Sequence, residues 1–356
     1  MDQNQKQLLE RLSPTRILLP MLIGIGVTIY LFVSKYTWND LSFLLRANGG
    51  WILASLVVLV IRDTGYIYRI RHLTGKDLSW NSSFYSIMLW EFASAVTPSA
   101  VGGTAVAVFI LMKEGLTFGR SLAYVMLTAV LDNAFFIFAS GLALVFLPTQ
   151  IFPDISEFSF QIGRSFQYFF LISLSLIALY TFVMAFALFV RPRGFKWFLL
   201  RLTAWRPLRR WRQAAYIQGN EILIASKELK GKDVGYWTKA IGSTLFVWSA
   251  RYLMLNCLIA AFTPVTGPEH VLIFFRQVVM WVIMLISVTP GAAGLAEIAF
   301  DAFFKQFLGN FSTAVALFWR MFTYYPYLLI GALLLPRWVR RVFFKGTKKP
   351  SSGKEG

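Results

Sequence analysis

Two apolar stretches of this chain are interrupted by the same signal, a Thr-Pro pair followed by small residues and glycine. One reads Thr97, Pro98, Ser99, Ala100, Val101, Gly102, Gly103 and the other Thr289, Pro290, Gly291, Ala292, Ala293, Gly294. Inside a bilayer an unpaired backbone amide is costly, so a non-helical break at membrane depth persists only where protein buries it or where it lines a wet cavity. Two such breaks mark a place where something polar enters the membrane, and paired Pro/Gly interruptions in two halves of a chain point to a transporter's binding site.

Composition sets the class around those breaks. With 57% hydrophobic residues and a mean hydropathy of +0.59, the 356 residues read as one all-α, polytopic membrane domain spanning 1–356. The single cysteine, Cys257, allows no intrachain disulfide, and neither His72 nor His270 sits in a metal-binding spacing. No cofactor motif is present. The first apolar run, 17–34, follows Lys6, Arg11 and Arg16 but has no small-X-small cleavage site, so it is expected to stay as a span.

A net charge of +18 would suggest nucleic acid if it formed one folded basic face, but its placement argues against that. Eight basic and no acidic residues fall between Arg191 and Arg212, and Arg337, Arg340, Arg341, Lys345, Lys348, Lys349 and Lys354 populate the tail at 337–356. These clusters flank apolar spans, as the positive-inside rule and attraction to anionic headgroups require. Spans near 17–34, 47–68, 120–147, 166–190, 237–262 and 312–335 then put both termini in the cytoplasm of a cell with this protein in its inner membrane. The segment carrying Arg62, Arg69, Arg71 and Lys76 falls on the same side. The stretch 191–235, where Trp197, Phe198, Trp205 and Trp211 interleave with arginines, reads as a basic linker lying in the interface.

The broken segments, 80–113 and 271–310, fall between these spans. Each half is marginal for crossing ~30 Å at ~1.5 Å per residue, which favours re-entrant hairpins over pairs of full spans. The order span, hairpin, span occurs over 47–147 and again, in the opposite orientation, over 237–335, the layout of an inverted repeat whose hairpin tips meet near the midplane.

Charges inside apolar stretches are expensive and must face protein or water and pair. Glu91, Asp132, Arg251, Arg276, Glu297, Asp301 and Arg320 are such residues. Glu91 precedes Pro98 by seven positions and Glu297 follows Pro290 by seven, while Asp132 and Arg320 lie in the spans after the two hairpins. The expectation is one buried network that includes a pairing of Asp132 with Arg320, with Glu297 and Arg251 as further members. Structural ion pairs that only fix helix packing are the alternative reading of the same residues.

These stretches resemble a known family. Glu91 to Gly115 (EFASAVTPSAVGGTAVAVFILMKEG) resembles the first signature of the lysylphosphatidylglycerol synthase transmembrane-region family, also called flippase-like domain proteins. Thr289 to Phe300 (TPGAAGLAEIAF) is similar to its Pro-Gly-Gly-X-Gly-X-X-Glu signature, and Ala316 to Gly331 (ALFWRMFTYYPYLLIG) to its Arg-containing last span with a Tyr pair. The first signature often carries Glu where this chain has Thr104, whereas the second-hairpin carboxylate is kept as Glu297. The resemblance implies movement of a lipid or lipid-linked headgroup between leaflets, without the soluble synthase domain, for which the chain has no room.

The expected substrate-binding set is therefore Glu91, Thr97, Pro98, Gly102, Gly103, Thr104, Asp132, Arg251, Pro290, Gly291, Gly294, Glu297, Arg320 and Tyr324, with no catalytic residue and no metal. The free amides at the helix N-terminus after each break suit a phosphate or carboxylate. The expected partners are a phospholipid or lipid-linked substrate and anionic lipids at the basic face, not nucleic acid; a homo-oligomer or a glycosyltransferase partner is also open. Two other classes stay open: an accessory subunit for envelope lipid or glycan synthesis, and a membrane-embedded polyprenyl-phosphate phosphatase. The phosphatase would need a polar nucleophile or carboxylates beside the break, and 291–295 is wholly apolar.

Overall fold

A computed structural model describes residues 47–97, 99–153, 160–285, 292 and 295–344. The expected first span at 17–34, and the tail beyond 344, lie outside the described residues. Helix α1 (Gly49–Leu73) starts at Asn48, whose side chain accepts the Gly50 and Trp51 amides. After a turn through Gly75, where φ of +66° suits glycine, Ser79 caps α2 (Trp80–Val96) by accepting the Ser82 amide. Then come α3 (Ser99–Lys113), α4 (Phe118–Phe146) and α5 (Phe160–Ala185), the last running into a π-turn at Phe186–Val190. The basic stretch forms α6 (Pro192–Leu202), a 3₁₀ turn at Arg206–Trp211 and α7 (Arg212–Leu229). The chain continues through α8 (Val234–Ala260), α9 (Gly267–Met284), α10 (Leu295–Leu308), α11 (Ser312–Thr323) and α12 (Tyr325–Val339).

Helices α1, α4 and α8 and the segment 166–190 are long and apolar enough to cross a membrane. Large apolar side chains cover the outside: Leu171, Ile172, Leu176, Leu179 and Phe182 on α5, and Val57 and Val60 on α1, are all exposed. Such a surface would drive aggregation in water and is stable against lipid. α8 occupies the centre. Its closest neighbour is α1, where a Cβ on Gly65 would stand 2.8 Å from Val247, so glycine is what permits the approach.

Each broken segment folds back on itself. α2 packs against α3, with Ser94 and Gly103 touching on opposite sides of the first break. α9 packs against α10, and the buried Arg276 on α9 donates to the Phe303 carbonyl at 2.7 Å and to Gln150 O at 2.9 and 2.8 Å. Arg276 thus pins the second hairpin to the loop after α4 and has a structural role. Asp301 accepts from the Ser312 hydroxyl at the start of α11 and is structural too.

Two expectations need correction. The segment 312–335 is not one continuous helix: Tyr324, at φ −125° and ψ −60°, ends α11, and Pro326 opens the first turn of α12. Pro326 cannot donate an amide and disfavours helical geometry in the residue before it, which explains an interruption at this dipeptide. Arg62 and Arg69, counted from the sequence with the cytoplasmic charges Arg71 and Lys76, are not surface charges either. They are buried, 0% and 4% exposed, on the face of α1 turned toward the protein.

The stretch 191–235 contains no helix suited to crossing a membrane. α6 lays its inner face on α7, with Lys196 donating to Asn220 at 2.6 Å, and exposes Trp197 and Phe198 on the outside. α7 in turn rests on the start of α4, where Gly119 meets Ile224. Burial disfavours the charged Glu228 on α7, but the Tyr124 hydroxyl at 2.6 Å and Arg120 at 3.0 Å outweigh it and hold the carboxyl below its ordinary value.

At the far side α12 packs on α2 so closely that Gly331 faces the stem and ring of Phe92 with no room for a Cβ. Gly331→Ala is therefore expected to lower thermal stability by about 1–3 kcal/mol through overpacking. Gly242→Ala, where nothing lies within 4 Å, should be neutral or slightly stabilising in the same melting experiment.

Candidate functional site

Both breaks open onto one cavity of about 350 Å³ at the centre of the helix bundle. The first hairpin contributes Glu91, Thr97 and Thr104; the second contributes Trp281, Leu285 and Ala292. The third interruption, at Tyr324, faces the same space, with Arg320 before it and Tyr327 after it. α1, α4 and α8 supply Arg69, Asp132, Trp248 and Arg251.

At Thr97 the chain turns extended, φ −92° and ψ 138°, as the residue before proline must, and its hydroxyl donates to Ala93 O at 2.6 Å. Of the expected residues at the breaks, Pro98, Pro290, Gly291 and Gly294 lie outside the described residues. Gly102 is within the first turns of α3, and Gly103 sits where a Cβ would strike Ser94. Ala292 is the described residue of the second break, and its φ of +53° is unusual for a residue with a Cβ. That conformation costs a non-glycine roughly 1 kcal/mol. Ala292→Gly should accordingly raise the melting temperature, by an amount corresponding to about 1 kcal/mol or less.

The charged side chains are arranged as separate ion pairs. Arg69 grips Asp132 with both guanidinium nitrogens, Nη1 on Oδ1 and Nη2 3.3 Å from Oδ2. The Trp248 indole donates to the same Oδ1 at 2.8 Å, and Thr244 lies 3.4 Å from Arg69 Nη1. Arg320 Nε donates to Glu297 Oε1 at 3.2 Å, and its guanidinium lies over Trp319 and Tyr324. Arg251 lies between the faces of Trp248 and Trp281, 5.2 and 5.0 Å from their centroids, and approaches Glu91 to 3.6 Å. At the cavity wall Arg62 donates to Asp63 and Tyr327, and the Tyr327 hydroxyl donates to Asp63 at 2.8 Å.

The structure therefore corrects the expected direct pairing of Asp132 with Arg320. Each has its own partner, Arg69 and Glu297 respectively, because a nearer opposite charge is available to each. The two residues still line one cavity. Glu297 lies in the first turn of α10, where its charge complements the amide end of that helix, so this N-terminus already faces a carboxylate. Tyr324 has a structural bond besides: its hydroxyl donates to Ala95 O at 3.1 Å near the first break.

Arg69, Arg62, Tyr66, Asp63, Trp248 and Tyr327 are missing from the sequence-derived set. The signal for three of them was present. Arg62, Tyr66 and Arg69 repeat at helical spacing, so they fall on one face of α1, together with the buried Gly65 and Ile70. Counting Arg62 and Arg69 only as charges on the cytoplasmic side hid that face.

Removing one member of a buried pair strands the other in a medium that cannot solvate it. Asp132→Asn and Arg69→Met should each destabilise by roughly 3–5 kcal/mol, and the double variant by clearly less than their sum. A cycle on Asp132 and Arg320, which have separate partners, should be close to additive in the same melting measurements.

The fold and the cavity define an all-α membrane protein built around a largely apolar chamber into which charged side chains reach. The model of the family described as the lysylphosphatidylglycerol synthase TM region matches residues 17–331, and the chain belongs to that family. A relative from Archaeoglobus fulgidus, described as a UPF0104 membrane protein, is 26% identical over 335 residues, covering 88% of this chain and 94% of its own length.

Proposed function

We propose that this protein translocates a phospholipid or a lipid-linked headgroup between leaflets, using the cavity between the two hairpins and no nucleotide hydrolysis. The observation that carries the reading is the convergence of three helix interruptions and three ion pairs on one chamber inside an apolar helical bundle. A broken helix and an intramembrane charge are each expensive, and a site for a polar group entering the membrane accounts for both. The family is named for the membrane region of a lipid synthase, which supports a lipid as the group that enters the cavity.

In this reading the hairpins are re-entrant, 47–147 and 237–335 form an inverted repeat, and the protein sits in the cytoplasmic membrane with both termini and the α6–α7 arm on the cytoplasmic side. The exposed Trp197 and Phe198, flanked by Arg193 and Arg201, then rest at anionic headgroups. The protein binds and conducts its lipid and does not transform it.

Reconstitution into liposomes carrying headgroup-labelled lipids, polyprenyl phosphates included, tests this. The wild type should exceed empty vesicles in leaflet exchange, and Arg320→Ala and Glu297→Ala should reduce the rate at least about tenfold, equivalent to ~1.4 kcal/mol. Gly103→Leu should abolish exchange by driving the two arms of the first hairpin apart. No exchange across the whole panel, with stoichiometric binding to a glycosyltransferase, would replace this reading with that of an accessory subunit.

A further inference from the structure

The three ion pairs at the cavity, each with at least one member in its lining, differ in how fully they are closed. Asp132 is gripped by two nitrogens of Arg69 and by the Trp248 indole, so it has little capacity left for a ligand. Glu297 is engaged by Arg320 and, at the rim, lies beyond the cavity lining. The pair of Arg251 and Glu91 is open. Its N–O distance is 3.6 Å, beyond a hydrogen bond, and among the described residues the Arg251 guanidinium hydrogen-bonds the Tyr66 hydroxyl at 3.3 Å.

Unused donors surround that gap. The Tyr252 hydroxyl and the Trp281 indole N–H are buried and have no hydrogen-bond partner among the described residues, and both side chains line the cavity. Tyr252 is 3% exposed. Arg320 Nη2, on another residue lining the cavity, is likewise buried and without a hydrogen-bond partner among the described residues. Buried polar atoms left without partners are costly, and this cluster is matched to an anionic oxygen-bearing group. Among the described residues lining the cavity, Glu91 is the carboxylate whose ion pair is not closed by a hydrogen bond, and it supplies an acceptor for a cation.

We infer that the Arg251–Glu91 gap is the headgroup seat for a zwitterionic phospholipid, with its phosphate on Arg251, Tyr252 and Trp281 and its ammonium on Glu91. The inference rests on the cavity being a lipid headgroup site. A headgroup of one phosphate and one ammonium replaces an imperfect internal pair by two good ones and leaves the charge of the chamber unchanged. A purely anionic headgroup would bind Arg251 and leave Glu91 facing a negative phosphate. The flat walls of Trp248 and Trp281 keep the guanidinium in place while its partner is exchanged.

The test is equilibrium binding of short-chain phosphatidylethanolamine and phosphatidylglycerol to the full-length protein in neutral detergent, for the wild type, Glu91→Gln and Arg251→Gln, each checked for folding by melting. The wild type should prefer phosphatidylethanolamine by about tenfold or more, the size of one charge-assisted hydrogen bond. Glu91→Gln, nearly isosteric, should lose that preference while holding phosphatidylglycerol at least as well. Arg251→Gln should weaken both lipids; if it fails to fold, the Arg251→Gln and Glu91→Gln double variant, which removes both charges, takes its place. Selective binding without leaflet exchange in liposomes supports the seat and removes translocation. Equal wild-type affinity for the two lipids, or a Glu91→Gln variant that weakens both alike, overturns the inference.

Discussion

The contact on which the rest of the structure depends is the grip of Arg69 on Asp132. It joins α1 to α4, and through Trp248 and Thr244 it includes α8, so three long helices meet at one buried charge pair. In an apolar bundle Arg69 is shut away from water and Asp132 is open only to the cavity, so each charge depends on the other being in place. The pair therefore fixes how deep α1 sits relative to α4 and α8, as a purely apolar contact would not. The chamber is the space left beside it.

Around that fixed point the chain places its irregularities together. The extended Thr97, the left-handed Ala292 and the bent Tyr324 come from three separate parts of the sequence, yet all line the same cavity. Charges behave in the same way: Arg62 and Asp63 lie against Tyr327 at the chamber wall, and three further pairs each have a member lining it. Such grouping keeps the polar material of a membrane protein in one place and leaves the surfaces of α1 and α5 free for lipid.

Much of this was legible in the sequence, for identifiable reasons. Thr-Pro followed by glycine is a strong local signal, so both hairpins were readable from residues 97–103 and 289–294 alone. Intramembrane charges were equally visible, and Glu91, Asp132, Arg251 and Arg320 all line the cavity. Partners were not legible, because pairing depends on which helices are neighbours. Quasi-equivalent positions suggested Asp132 with Arg320, whereas α8, packed on both α1 and α4, brings Arg69 within reach of Asp132. The break at Tyr324 was missed because Tyr325 and Pro326 lie in an otherwise unbroken apolar run, and hydropathy does not register a missing amide.

That break at Tyr324 also has a mechanical meaning. α11 packs on α10 and so belongs to the second hairpin, while α12 packs on α2 and belongs to the first. The two hairpins, far apart in sequence, are thereby tied by one short covalent strap with a bend in the middle, and the Tyr324 hydroxyl on Ala95 O fastens the bend to the first hairpin's tip. Neither hairpin can be displaced without flexing that strap or dragging the other along. Tyr324 is the joint through which two gates, if they move, keep time with each other.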